Sequence, residues 1–189
     1  MRRLILTALL GLTIAQLSGC VPVVAVGMGT GALMADDRRT TATYLMDEEI
    51  ELKAEGRIHD AYKEGVHVNV TSFNRLVLLT GEAVDAATRA KVEQIVKEVP
   101  NVRLIQDEIA VAGVSTIVAR SNDSFVSAKV KTRFLDDNRF SANQVKVVTE
   151  AKAVYLMGLV KRDEGNAAAE IAAKTSGVAK VVKVFEYLD

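Results

Sequence analysis

Val154-Tyr155-Leu156-Met157-Gly158-Leu159-Val160 and Leu76-Val77-Leu78-Leu79-Thr80-Gly81 are the two stretches whose reading decides the fold. Each is a short, dense apolar run that includes a glycine, long enough for a strand and too short for a buried helix. Before Leu76 lies a clean alternation, with Val66, Val68 and Val70 interleaved by His67, Asn69 and Thr71, the period-2 pattern of a half-buried strand. A turn at Phe73-Asn74 separates them, which predicts an antiparallel hairpin. The same hairpin recurs downstream: Val68, Val70, Val77, Leu79 and Gly81 match Val145, Val147, Val154, Leu156 and Gly158 at an offset of 77.

The match extends outward in both directions at an offset of 76. Asp47, Lys53, Ile95, Val102 and Ile105 correspond to Asp123, Lys129, Ile171, Val178 and Val181. A one-residue slip between Gly81 and Ile95 belongs in the turn or the first helical turn after the strand. The chain therefore carries an internal repeat. In the first copy Asp47, Glu48 and Glu49 favour a helix start, and Ile50, Ala54 and Ile58 fall four apart on one face. Asp85 opens a second helix with Val92, Ile95, Val96 and Val99 as its apolar stripe. Pro100-Asn101 ends it, and residues 102–111 make a last strand. The second copy predicts a helix from Asp123, strands near 144–149 and 152–160, a helix near 162–175 with Ala168, Ile171, Ala172 and Thr175 on its stripe, and a strand over 178–188. Each unit reads αββαβ, an α+β plan with two helices on one face of a three-stranded mixed sheet. Units of about 65 residues bury only ~60% of their unfolded surface, so the copies are expected to touch. The boundaries are 47–111 and 122–189, with a short joint at 112–121.

The amino end carries an address. Met1-Arg2-Arg3 precedes an apolar run over residues 4–15 and then Leu17-Ser18-Gly19-Cys20, the order of a secretory signal with a small-residue cleavage site. The run falls short of the ~20 residues a spanning helix needs. Residues 17–20 resemble a bacterial lipobox, and Cys20, the sole cysteine of the 189-residue chain, stands where such a box needs it. The expected layout is a signal peptide at 1–19 and a lipidated Cys20 with a flexible tether over 20–46. Two or three acyl chains hold such an anchor durably. Gly27, Gly29 and Gly31 imitate part of a dinucleotide-binding loop but lack its strand, helix and acid.

Asp123-Ser124-Phe125 with Lys129-Val130, the glycine-bearing strand at 154–160 and Ser176-Gly177-Val178 resemble the signatures of BON domains. The first copy keeps the strand and Val99-Pro100-Asn101-Val102, but lacks the helix aromatic. With the lipobox and the Gly-rich tether, the whole resembles the dual-BON-domain outer-membrane lipoproteins, the DolP-like group. That resemblance implies an anchor in the periplasmic leaflet of the outer membrane. It also implies binding of anionic phospholipid (phosphatidylglycerol or cardiolipin) through the first helix of the second copy, and a role in envelope integrity, with division sites as one place of action. The alternative expectations are a docking module for a cell-wall regulator or barrel-assembly partner, and a periplasmic stress or chaperone-like protein.

Composition narrows the chemistry. There are 24 basic against 24 acidic side chains, which argues against a wholesale nucleic-acid binder. One cysteine leaves no disulfide framework and no thiolate metal cluster. The two histidines, His59 and His67, lack a nucleophile partner in sequence. No G-x-S-x-G elbow, Walker loop or H-E-x-x-H helix occurs. The acids Asp47, Glu48, Glu49 and Glu51 lack the alternating ligands of a calcium loop and read as a solvated helix start. No catalytic residue, cofactor or metal site is expected.

Charge is divided unevenly. Residues 47–111 hold 8 basic and 13 acidic side chains, a net of −5, and residues 122–189 hold 11 and 9, a net of +2. Near an anionic surface the basic half is drawn in. At 100° per residue, Val126, Val130 and Phe134 face the sheet, while Phe125, Lys129, Thr132 and Arg133 lie on another side, with Lys131 flanking from elsewhere. An exposed ring beside cationic heads suits a membrane interface. Phe125, Lys129, Lys131, Thr132 and Arg133 are thus the candidate phospholipid-binding residues, and Cys20 is the lipidation site.

Overall fold

A computed structural model describes residues 37–63 and 66–189. The predicted signal peptide, Cys20 and the tether as far as residue 36 lie outside the described residues. The first element is α1, Thr41–Ala61, whose cap is Thr40: its hydroxyl accepts from the Thr43 N–H at 3.1 Å. The expected start at Asp47 is therefore six residues late. The threonine satisfies one of the orphan N–H groups of the first turn, so the helix starts there without help from the acids. Asp47 instead sits within the helix and is buried with Ile50, Ala54 and Ile58.

The remaining elements follow the repeat. They are β1 (Val66–Phe73), β2 (Leu76–Ala83), α2 (Ala86–Lys97), β3 (Leu104–Asp107) and β4 (Ala110–Val111) in the first copy. The second holds α3 (Ile117–Leu135), a 3-10 turn at Ala142–Gln144, β5 (Lys146–Glu150), β6 (Ala153–Val160), α4 (Arg162–Ala173) and β7 (Lys180–Tyr187). In each copy the first two strands pair antiparallel and the central strand pairs parallel with the last, across the second helix. The expected strand over 102–111 is split in two, both parts pairing with β2. Between them the Asp107 carboxylate takes the N–H of Ile109 at 2.9 Å. The strand after the hairpin also runs past Gly81, to Ala83. Gly81 adopts φ +113°, and a Cβ there would stand 2.0 Å from the His67 carbonyl oxygen. The glycine marks a close approach rather than a strand end. The one-residue slip lies between Gly81, offset 77 from Gly158, and the helix cap Asp85, offset 76 from Lys161.

A shared anchor explains why an aspartate stands at equivalent points of both copies. The hairpins turn through Asn74-Arg75 and Ala151-Lys152, all four with φ between 48° and 64°. That left-handed pair is the tight turn that matches strand twist, and it is costly for residues other than Gly or Asn. Asp47 accepts the N–H groups of Asn74 and Arg75 at 2.8 Å each, plus the Ser72 hydroxyl at 2.7 Å. Asp123 accepts those of Ala151 and Lys152 at 2.9 Å each. Asp123 is thus a buried strut within a helix that starts at Ile117 behind the Thr116 cap, and not a helix start.

Each copy buries its helices on one sheet face: Val77 and Leu79 with Ile50, Val92 and Val96, and Val154 and Leu156 with Val126, Val130, Phe134 and Ile171. The alternate residues of the same strands point the other way. Phe73 and Leu78 meet Tyr155, Met157, Leu159 and Val184 in a third apolar cluster that joins the two bare sheet faces. The copies touch face to face, which explains why the central strands are apolar without alternation: both faces are covered. Polar contacts rim this seam. Asn69 donates to Glu150 at 2.9 Å, Lys146 to Glu51 at 2.8 Å, and Asn74 and Arg103 both reach Glu186. Burial pushes the Glu150 carboxyl above its usual range, a rise that Asn69 only partly offsets.

The residues before α1 are tied to both copies. Arg38 pairs with Glu164 through two bonds of 2.6 and 2.7 Å. Arg39 reaches Asp47 at 2.8 Å and lies over the Phe73 ring, its guanidinium carbon 3.9 Å from the ring centroid. The tether expected over 20–46 is accordingly pinned from residue 38 onward.

Candidate functional site

Helix α3 places the five candidate residues. Its inward stripe, Asp123, Val126, Val130 and Phe134, is buried against the sheet, so the opposite side must face out. Phe125 is 67% exposed, a large ring with no core to enter. Val118, seven residues earlier and so on the same stripe, is 80% exposed. Sequence reading missed Val118, although the i, i+7 spacing to Phe125 was the signal that would have found it.

Lys129, Thr132 and Arg133 share a surface groove with Phe125, Ala128 and the segment 174–176 after α4. The Arg133 guanidinium donates to the Lys174 carbonyl at 2.6 Å and the Thr175 hydroxyl at 3.1 Å. Lys129 reaches the Ser176 carbonyl at 3.5 Å. These carbonyls follow the end of α4, where the helix dipole is negative and cations are favoured. Thr132 returns its hydroxyl to the Ala128 carbonyl at 3.0 Å. Among the described residues Lys129 has no ion-pair partner. Its charge is held in place by a neutral carbonyl and stays available to an external anion.

Lys131 stands apart from these four. It lines grooves toward the first copy, one with Arg39, Tyr44 and Glu48, another with Glu55 and Asn69. The geometry therefore brings together Phe125, Lys129, Thr132 and Arg133 and turns Lys131 to another side of the helix. Cys20 lies outside the described residues. His59 is exposed on α1, while His67 lies at the seam, its Nδ1 3.0 Å from Glu82. The acids read as a solvated helix start prove mixed: Glu48 and Glu49 are exposed, but Asp47 is buried and Glu51 bonds the Ser72 N–H and Lys146.

Two αββαβ units joined sheet to sheet, each with its aspartate strut, define the class: the chain belongs to the BON-domain family, whose model matches residues 46–113 and again residues 122–189. It is similar to the Outer membrane lipoprotein DolP of Haemophilus influenzae, 40% identical over 186 residues, which cover 97% of this chain and 96% of that one. It also resembles the 21 kDa hemolysin of Actinobacillus pleuropneumoniae, 31% identical over 154 residues, 80% of this chain and 79% of that one. Among solved structures, CdsD, a structural protein of the Type III secretion system of Chlamydia trachomatis, aligns with a TM-score of 0.31 at 11% identity, over 74% of this chain and 92% of that one. No described helix is long and apolar enough to cross a membrane.

Proposed function

We propose that the protein is a non-enzymatic, lipid-anchored component of the periplasmic face of the outer membrane, and that it binds anionic phospholipid through the outer face of α3. The observation that carries this reading is the 67% exposed Phe125 beside a lysine, Lys129, that has no ion-pair partner among the described residues. The ring enters the acyl boundary while Lys129 and the exposed edge of Arg133 stay with the headgroup phosphates. The net charge of +2 in residues 122–189 supports this orientation, and the −5 of residues 47–111 keeps the first copy away from the same surface. The likeness to an outer-membrane lipoprotein and the lipobox at 17–20 support the location. A part in envelope integrity, division sites included, rests on the family resemblance.

Vesicle flotation tests the lipid site. The unlipidated chain starting at Val21 is mixed with vesicles of phosphatidylcholine alone or with added phosphatidylglycerol or cardiolipin. Recovery is expected only on the anionic vesicles and falls about tenfold in Phe125→Glu, since burying a Phe side chain contributes ~1.5–3 kcal/mol. Equal recovery on neutral and anionic vesicles, untouched by the substitution, overturns the reading.

One surface favours a second reading, a protein partner. Leu45 and Leu52, seven apart on α1, are exposed amid Glu48, Glu49 and Glu55. An apolar pair within acids suits a basic protein surface more than an anionic membrane. Pull-down from envelope extracts that is lost in Leu52→Glu but kept in Phe125→Glu distinguishes the two.

A further inference from the structure

At one end of the seam between the copies the apolar cluster gives way to a polar corner. His67 and Glu82 are directly opposed across β1 and β2, and Asn69 and Thr80 form the next pair on the same face. Glu150, at the end of β5, comes from the other copy, so the corner is complete only when the two are packed. The ligand atoms of His67, Glu82 and Glu150 all lie within 4.8 Å of one another. The 3.0 Å between His67 Nδ1 and Glu82 Oε2 is close to the spacing of neighbouring ligands that each stand ~2.1 Å from one metal.

Three further features make this more than a group of acids. Both carboxylates are buried, Glu82 at 6% and Glu150 at 8% exposure, and each is aimed by a donor behind it: the Ser115 N–H at 3.2 Å on Glu82, the Asn69 amide at 2.9 Å on Glu150. Such outer contacts fix ligand orientation in metal sites. Thr80, 1% exposed, leaves its hydroxyl oxygen buried without a hydrogen-bond partner. Ser115 and Arg120 likewise each hold a buried, unpartnered polar atom here. A cavity of about 170 Å³ opens at this corner, lined by His67, Asn69, Arg120, Asp123 and Glu150 among others. Unsatisfied buried groups are uncommon and need a cause. The charges also sum to a purpose. Glu82, Glu150 and Asp123 against Arg120 leave −2, which one divalent ion balances.

We propose that His67, Glu82 and Glu150 form a divalent transition-metal site of the zinc class that clasps the two BON copies together. One imidazole and two carboxylates suit Zn²⁺, and the unpartnered Thr80 hydroxyl belongs to the next cross-strand pair on the same sheet face. The role is structural: binding that needs ligands from both copies stabilises their packed arrangement. It is separate from the outer face of α3 that carries Phe125 and Lys129, so the two readings stand or fall independently.

The test uses the full lipidated protein in detergent micelles, stripped with a chelator and then titrated with Zn²⁺ against a chromophoric competitor. The expected result is one Zn²⁺ per chain and a zinc-dependent rise in Tm. His67→Ala and Glu150→Gln each weaken binding tenfold or more, and His59→Ala leaves it unchanged. Glu150→Gln keeps the shape and the Asn69 contact, so a loss there is not a folding defect; circular dichroism of each variant verifies it. Co²⁺ substitution should give visible d–d bands in the wild type that vanish in Glu150→Gln. Uptake well below one per chain, or equal uptake in wild type and both ligand variants, overturns the proposal.

Discussion

The two copies share a fold and a strut but present opposite outer faces on their first helices. At the offset of 76, Arg57 corresponds to Arg133, and both do the same thing: Arg57 donates to the Glu98 carbonyl at 3.0 Å as Arg133 does to that of Lys174, closing the end of the second helix. Lys53 corresponds to Lys129, but here the copies part. Lys53 is ion-paired with Glu49 one turn earlier, and Glu49 stands where the second copy has Phe125. A single exchange, acid for ring, thus both neutralises the lysine and removes the apolar anchor. The shared arginine is part of the fold's packing. The ring and the unpaired lysine are what the second copy adds.

The largest effects should come from breaking the common strut. Asp47→Ala leaves the N–H groups of Asn74 and Arg75 and the Ser72 hydroxyl without their acceptor and takes from Arg39 one of the two carboxylates that hold it, the other being Asp37, and should cost about 3–5 kcal/mol. Asp123→Ala removes an acceptor from two backbone groups only and should cost about 2–3 kcal/mol. Thermal melts followed by circular dichroism check the order. Equal losses would mean that the Ser72 and Arg39 contacts add nothing in the first copy.

Much of this architecture was legible in sequence, for definite reasons. The stripes Ile50-Ala54-Ile58 and Val126-Val130-Phe134 obey helical spacing and do bury against the sheets. The aspartates were legible as matching positions but not as struts. A carboxylate beside other acids looks like a helix start, and its true partners lie 27 to 29 residues away in a hairpin turn. Caps from Thr40 and Thr116 were overlooked because no apolar periodicity begins directly after them. The dense runs at 76–80 and 154–160 signalled strands, but which alternate residues would meet across a seam depends on pairing that a single sequence does not encode. The outward position of Phe125 followed from helical spacing alone. The departure of Lys131 from its group followed equally from the 100° step, yet the part the first copy plays in its surroundings needed the packed structure.

Exchanging the differing residue probes the comparison directly. Phe125→Glu gives the second copy the Glu49–Lys53 arrangement, and should lower recovery on anionic vesicles by about tenfold while moving stability by under ~0.5 kcal/mol, since the ring is exposed. Adding Glu49→Phe to that variant should restore little, because residues 47–111 still carry 8 basic against 12 acidic side chains, a net of −4 that opposes approach. Full restoration would show that the ring acts without regard to which copy carries it, and the charge asymmetry would lose its role.

Smaller are the losses from the shared arginine. Arg57→Ala and Arg133→Ala each remove a charge-assisted bond to a carbonyl at a helix end, worth about 1 kcal/mol, and Arg133→Ala loses in addition the bond to the Thr175 hydroxyl. A second outcome separates them: Arg133→Ala should also weaken vesicle binding two- to threefold through its lost charge, whereas Arg57→Ala should not. Equal effects on binding would remove the distinction between the copies at this position.

The last contrast lies at the start of the second helices. In the first copy the Asp85 carboxylate caps α2 by accepting from the Thr88 N–H at 2.7 Å. In the second the cap residue is Lys161, and its N–H donates to Glu164 at 2.8 Å instead. Glu164 also holds Arg38, and the Arg38 hydrogen bonds keep its carboxyl below the ordinary carboxylate range against the opposing pull of burial. A depressed carboxyl contributes stability above its unfolded value near 4.5, and that contribution is lost as pH falls through the lower folded value. Melts between pH 7 and pH 3 should therefore show a modest extra loss below about pH 4.5 that is absent from Arg38→Ala. The size stays below about 1 kcal/mol, since solvent reaches both partners. A wild type and variant with parallel profiles would mean that Arg38 does not tie the chain before α1 to the second copy, leaving Arg39 alone to hold it against the first.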